Sequence, residues 1–309
     1  MATPRKVFGH LSPDTDTVCC AILWAWYLNT HAKMPALAYR LGELNKETRF
    51  VLDRWQVPHP ALLESVSAED EVTIVDTNNP QELFENINDA KIIEIIDHHK
   101  LVGGLKSEAP IMMTIRPLAS TASVIHDLMA PAATVLPTEM AGLMLSCILS
   151  DTLEFRSPTT TPYDKEIATK LALQLGVNMT TYANEMFAAK SDVSEYSGAA
   201  LITLDSKVFP VGEKNIRVSV LETTTPETVL ARKDELVSAI KANLAAEKGT
   251  DDVLMFIVDI LKEEATVLVY NDLTKQIIKA SFNVDVSGET VVLPGIVSRK
   301  KQIVPALKI

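Results

Sequence analysis

The run Ile92-Ile93-Glu94-Ile95-Ile96-Asp97-His98-His99 leaves this chain few folds to choose from. A short β-branched stretch that stops at one carboxylate and two imidazoles has the pattern of a buried parallel strand delivering polar groups to a sheet edge. Two other runs end the same way, Lys6-Val7-Phe8-Gly9-His10 and Val72-Thr73-Ile74-Val75-Asp76. Helical stretches alternate with them: an apolar segment over 17–28 opened by Pro13 and an Asp/Thr cluster, one over 45–55, and a helix near 81–87 after Asn79-Pro80. With a further strand at 36–39, this alternation predicts an α/β domain with a mostly parallel sheet flanked by helices. Ligands of such sheets gather outside the carboxyl ends of the strands, where His10, Asp76 and Asp97-His98-His99 all fall.

Further helices follow Ser120-Thr121-Ala122-Ser123, run from Thr138 to the Ser150-Asp151-Thr152 segment, and cover 164–175 with Gly176 as the stop. At 309 residues the chain exceeds the size of a single growing core, so two domains are expected. Periodicity fades around 188–194, which places a metal-binding catalytic domain at 1–188, a linker at 189–193 and a smaller domain at 194–309. The smaller domain reads as α+β with a mixed sheet. A hairpin turns across Gly212-Glu213-Lys214, and a long helix runs from Thr225-Pro226 to about 246. Strands follow at 253–261, 266–270, 276–282 and 290–293.

Composition narrows the partners. A formal charge of -11 argues against a sequence-independent nucleic-acid binder, which needs surplus Lys and Arg. Three cysteines do not suggest a disulfide framework and fit a reducing compartment. The first six residues carry no apolar signal region, and no apolar run has the length of a membrane span, so a cytoplasmic protein without a membrane partner is expected.

Asp14 and Asp16 most simply cap the helix that follows and offset its dipole. Two carboxylates with His10 four residues earlier exceed what a cap needs. Asp151, at the end of an apolar element, reads alone equally well as a turn residue. Taken together, His10, Asp14, Asp16, Asp76, His98 and Asp151 supply four carboxylates and two imidazoles, enough for two divalent ions sharing a carboxylate. Mixed His and Asp ligation suits Mn, Co or Fe, whereas oxygen alone would favour Mg. Cys19, Cys20 and Cys147 lie in apolar helical runs and read as core filler; His31, His59 and His126 fall outside the set. Arg299-Lys300-Lys301 in isolation is most simply a solvated basic tail. Held between a Pro-Gly turn and another apolar segment, it could instead clamp a polyanion, and two metals with a basic clamp are what phosphoryl transfer to water requires.

The Asp97-His98-His99 triplet, the loop Gly9-His10-x-x-Pro13-Asp14-x-Asp16 and the closing Ser298-Arg299-Lys300-Lys301-Gln302 resemble the family II, manganese-dependent inorganic pyrophosphatases of the DHH phosphoesterase superfamily. The resemblance spans the whole chain, and the third motif selects the pyrophosphatase branch. It implies hydrolysis of pyrophosphate to two orthophosphates by a water activated between two Mn ions per subunit, with Co as a substitute and Mg arriving with the substrate. His10, Asp14 and Asp76 would hold one ion, and Asp16, Asp76, His98 and Asp151 the other, with Asp76 bridging. His99, Lys207, Arg299 and Lys300 would contact phosphates, His99 also serving as general acid, and Asp97 would orient a histidine. Similar enzymes are homodimers. They often carry His-Asn-Glu after the strand-end Asp, where this chain has Thr77-Asn78-Asn79. The rival readings are another DHH phosphodiesterase, acting on short oligonucleotides or cyclic dinucleotides, and a metal-dependent binding protein without chemistry. The glycine-rich, His-containing motif usual in the second domain of such phosphodiesterases is missing here.

Overall fold

Val7, Phe8, Ile74, Val75, Ile95 and Ile96 are all shut off from solvent, so the three runs that carry the Asp and His groups are central strands. A computed structural model describes residues 3–129, 136–247 and 249–309, and divides the chain into two compact units, Met1–Lys190 and Ser191–Ile309. The division falls within the stretch expected to link the domains, whose first two residues finish a helix.

In the first unit, β1 (Arg5–Phe8), β2 (Ala36–Arg40), β3 (Ala61–Leu62), β4 (Glu71–Val75), β5 (Lys91–Asp97) and β6 (Met112–Ile115) form one sheet in the order β3-β2-β1-β4-β5-β6. Every pairing is parallel. The chain runs outward to β3 on one side of β1, then restarts at β4 on the other, so the topological switch lies between β1 and β4. The helices are α1 (Thr15–Thr30), α2 (Lys46–Arg54), α3 (Thr121–Met129), α4 (Thr138–Thr152), α5 (Pro162–Leu175) and α6 (Met179–Lys190). Helix α1 is buried along most of its length because its sequence is apolar nearly all round. The helix expected near 81–87 does not form. Two short 3-10 turns, Pro80–Glu82 and Ile87–Asp89, stand there, because the Asn79 side chain accepts from Gln81 N, and Asn-rich sequence competes with the helical ladder.

The second unit contains α7 (Gly198–Thr203), β7 (Ser206–Val211), β8 (Lys214–Thr223), α8 (Pro226–Leu230), α9 (Lys233–Ala246), β9 (Asp252–Asp259), β10 (Glu264–Leu268), α10 (Asp272–Phe282), β11 (Thr290–Pro294) and α11 (Val304–Ala306). Its sheet, ordered β11-β10-β9-β8-β7, is mixed: β8 and β9 are parallel and the other pairs antiparallel. All of β9 is buried. Leu254, Phe256 and Val258 pack in one core, and Val253, Met255 and Ile257 in another, the period of two expected of a strand covered on both faces.

Two expectations fail in this unit. The strand at 276–282 is part of helix α10: Asn271 caps Thr274 N, and Thr274, Ile277 and Ile278 are buried at helical spacing, so the β-branched pair packs a helix face. The long helix from 225 is two helices. Arg232 ends the first by leaving helical geometry and donating to the carbonyls of Val193 and Tyr196. Thr225 makes no side-chain cap. No helix among the described residues is long and apolar enough to cross a membrane.

Candidate metal centre

Asp76 follows the last residue of β4 and takes a left-handed backbone, φ 62°, which a non-glycine residue adopts at a cost. The turn delivers its carboxylate, 2% exposed, to the middle of a cluster. Oδ2 accepts from Thr17 Oγ1 at 2.5 Å and Oδ1 from Thr121 Oγ1 at 2.9 Å. His10 Nε2 lies 3.5 Å from Oδ2, and His98 Nε2 3.5 Å from Oδ1. One carboxylate thus faces two imidazoles from two strand ends.

Asp14 does both of the jobs weighed for it. Its Oδ1 accepts from Thr17 N at 2.9 Å as the cap of α1, while Oδ2 lies 3.7 Å from His10 Nε2. Ligand atoms of His10, Asp14 and Asp76 fall within 4.8 Å of one another, and so do those of Asp16, His98 and Asp151. Asp16 is held by Ser120 Oγ at 2.6 Å and by the backbone N–H groups of Thr121 and Ala122 at 2.7 and 3.2 Å, the first turn of α3. His98 Nδ1 is 3.0 Å from the Leu118 carbonyl, which can only accept, so Nδ1 carries the proton and Nε2 faces the cluster. Asp151 sits in the last turn of α4. Three left-handed residues follow it almost at once, Leu153, Glu154 and Phe155, at φ 47°, 52° and 69°. None is glycine, and such local strain concentrates at functional sites.

The electrostatics show a cluster short of positive charge. Burial works against protonation of His10, but Asp14 and Asp76 outweigh it and raise its pKa to about 10. Burial likewise opposes the charge on His98, and Asp76 and Asp16 lift it to about 9. Burial and the charge on Asp76 push Asp16 up to about 6. Against a burial penalty, the two imidazoles hold Asp76 well below the usual carboxylate range. Burial, then the charges of Asp16, Asp76 and Asp14, push Asp151 well above that range. Its Oδ2 is buried without a hydrogen-bond partner. A buried carboxylate oxygen with no donor, beside other carboxylates, is what a divalent cation satisfies, so the donor set fits a pair of such ions.

The other residues singled out fall into separate places. His99 is half-exposed, and its Nδ1 donates to Asp97 Oδ1 at 2.9 Å; that oxygen also accepts from the backbone N–H groups of His98 and His99. The histidine oriented by Asp97 is therefore His99, while His98 is oriented by Leu118. Asn78 donates to Asp97 Oδ2, so the Thr77-Asn78-Asn79 segment reaches the site through Asp97. His10, Asp14 and His99 line a cleft of about 460 Å³ with Leu11, Ser12, Gln81 and Glu82. In the second unit, the basic run is no loose tail. Ile303 is fully buried in that unit's core. The Gln302 amide accepts from the N–H groups of Val297 and Ser298 and donates to Gly295 O. Arg299 Nη2 lies 2.7 Å from Asp205 Oδ1, leaving Nη1 buried without a partner. Lys300 and Lys207 are exposed, Lys207 on β7.

Cys19, Cys20 and Cys147 are buried, and Cys20 Sγ donates to Asp16 Oδ1 at 3.2 Å. His31 stacks on Tyr27, His59 meets Asp53 and His126 meets Tyr163, all outside the cluster. Sequence reasoning saw Ser120 and Thr121 only as a helix start, quoted Gln302 within the closing motif without giving it a role, and missed the parts played by Thr17 and Asp205. The clue for the first two is a run of four small hydroxyl or methyl residues, more than one cap needs.

The DHH family N-terminal domain matches residues 6–148, and the DHHA2 domain matches residues 184–309. The chain is 38% identical over 313 residues to a "Manganese-dependent inorganic pyrophosphatase" of Methanocaldococcus jannaschii, covering 98% of each. It is 39% identical over 302 residues to a "Probable manganese-dependent inorganic pyrophosphatase" of an Exiguobacterium species, covering 97% of this chain and 96% of the relative. A solved structure described as a "Methanococcus jannaschii putative family II inorganic pyrophosphatase" superposes with a TM-score of 0.61 at 36% identity, covering 98% of this chain and 97% of that one. The chain belongs to the family II, manganese-dependent inorganic pyrophosphatases, built from a DHH and a DHHA2 domain.

Proposed function

We propose that this chain hydrolyses inorganic pyrophosphate to two orthophosphates, with His10, Asp14 and Asp76 holding one Mn ion and Asp16, Asp76, His98 and Asp151 the other. The observation that carries the reading is the buried, partnerless Oδ2 of Asp151 within a group of four carboxylates and two imidazoles. When bound, two such ions supply Lewis acidity that makes hydroxide available from water near neutral pH and offsets charge on phosphoryl oxygens.

The chain's own groups do the rest. Asp76 presents one oxygen toward each imidazole and so suits the bridging position. The hydrogen bond to Asp97 fixes the His99 proton on Nδ1 and leaves Nε2 for the substrate. The same bond raises the His99 pKa and so favours the imidazolium, whose Nε2 proton would pass to the departing phosphate oxygen while Nδ1–H stays on Asp97. Arg299 offers Nη1 to a phosphate oxygen while Asp205 fixes the guanidinium plane through Nη2. Lys300 and Lys207 add point charges for a polyanion.

Two Mn ions per chain, replaceable by Co, with Mg entering on the substrate, complete the reading, in a cytoplasmic enzyme. A homodimer fits the first unit: β6 is an edge strand with Met112 67% and Met113 44% exposed, an apolar edge that a second copy would cover. Phosphate release from Mg-pyrophosphate, measured with Mn and after chelation, tests the function. Release that needs Mn, with no nucleotide freed from short RNA, is expected. Nucleotide release without pyrophosphate hydrolysis would overturn it.

A further inference from the structure

Glu47, in the first turn of α2, has no exposed surface and belongs to none of the motifs that mark the site. A single oxygen of its carboxylate, Oε2, accepts from Thr15 Oγ1 at 3.1 Å and from Ser150 Oγ at 2.9 Å, with Lys190 Nζ at 3.4 Å. Thr15 is the residue between Asp14 and Asp16, and Ser150 is the residue before Asp151. The other oxygen, Oε1, is buried with no partner. A buried carboxylate bonded through one oxygen only is a poor way to stabilise a core, since the unsatisfied acceptor loses its bonds to water and gains none in return. What the arrangement achieves is geometric.

We infer that Glu47 is a positioning residue of the metal centre: its Oε2 ties the Asp14–Asp16 loop to the end of α4 and so sets the spacing between ligands drawn from two helices. Thr48 Oγ1, 3.2 Å from Thr15 Oγ1, braces the same loop from the next residue of α2. Lys190, the last residue of α6, supplies the compensating charge. The bonds to Thr15 and Ser150 are charge-assisted, so their strength depends on the carboxylate and not only on its shape.

The inference rests on the metal-centre reading, and Mn affinity read by the electron spin resonance of free Mn separates the two. Glu47→Gln keeps the shape and removes the charge; outer partners of metal ligands are worth about 10–100-fold in affinity, so Mn should bind at least about tenfold more weakly. Thr15→Val should weaken both ions, because Thr15 stands between a ligand of each. Ser150→Ala should weaken only one. Each should be less than additive with Glu47→Gln, because all three act through one oxygen. If Glu47→Gln does not fold, the Thr15 and Ser150 variants carry the test alone. Unchanged Mn affinity in the folded variants, with only a lower unfolding temperature in chelator, would overturn the role and leave Glu47 a helix anchor. Wild-type protein that binds no Mn would instead overturn the metal-centre reading on which it stands.

Discussion

Replacing Asp151 by Asn should make the protein more stable without metal and less stable with it. In the metal-free chain the Asp151 side chain is partly buried, its Oδ2 fully so and without a donor, and Asp16, Asp76 and Asp14 surround it with like charge. An unsatisfied buried group costs about 1–3 kcal/mol. Because the Asn amide must also find partners, the lower end, about 1 kcal/mol, is the expected gain, or about 2–4 °C for a unit of this size. The sign with pH follows from the raised pKa. The carboxyl prefers its neutral form when folded, so its cost is absent below the unfolded-state pKa and grows as pH rises above it. The advantage of the variant should therefore be larger at pH 8 than at pH 5. With Mn at a hundredfold its dissociation constant, one bound ion adds about 2.7 kcal/mol, which the variant should forfeit at the site Asp151 serves. The order of unfolding temperatures in chelator should then invert in Mn. A variant less stable than the parent in chelator, or equally stabilised by Mn, would refute the reasoning.

Mn binding to the metal-free protein should release at least two protons at pH 7.5: imidazoles with pKa values of about 10 and 9 hold their protons there and must give them up to coordinate, and the upward shift of Asp151 can only add to the number. Calorimetry in buffers of different ionisation enthalpy reads the number, and affinity should climb with pH until about 10, where the His10 imidazole has lost its proton; no dependence on buffer would contradict it. Asp97→Asn should lower kcat about 10–100-fold with Mn still bound, since Asp97 orients His99 while His98 is held by Leu118; weakened metal binding with kcat intact would point the other way. Gln302→Ala should raise KM for Mg-pyrophosphate several-fold and leave Mn affinity unchanged, because the amide staples the backbone of Val297 and Ser298 before the basic turn. Altered Mn affinity in that variant would break the separation of roles.

The parts of this molecule legible from sequence are those where a short pattern has one physical solution. Three apolar runs ending in Asp or His can only be buried strands with polar ends, and they place His10, Asp76, His98 and His99 together. Helix α10 was not legible, because Ile277-Ile278 serves a strand and a helix face equally and only the Asn271 cap decides. The kink after α8 depends on carbonyls of Val193 and Tyr196, far away in sequence. The same reason hid Glu47, whose partners lie 32 and 103 residues from it. Asp14 shows the opposite limit: capping and facing the cluster are compatible, so weighing one against the other posed a choice that the two oxygens avoid.

Anomalous diffraction at the manganese edge from crystals grown with Mn tests the central claim most directly. Two peaks are expected on either side of the Asp76 carboxylate, one reached by His10 and Asp14, the other by Asp16, His98 and Asp151. A single ion that does not touch Asp76, or no ion at these residues in protein that hydrolyses pyrophosphate, would contradict it.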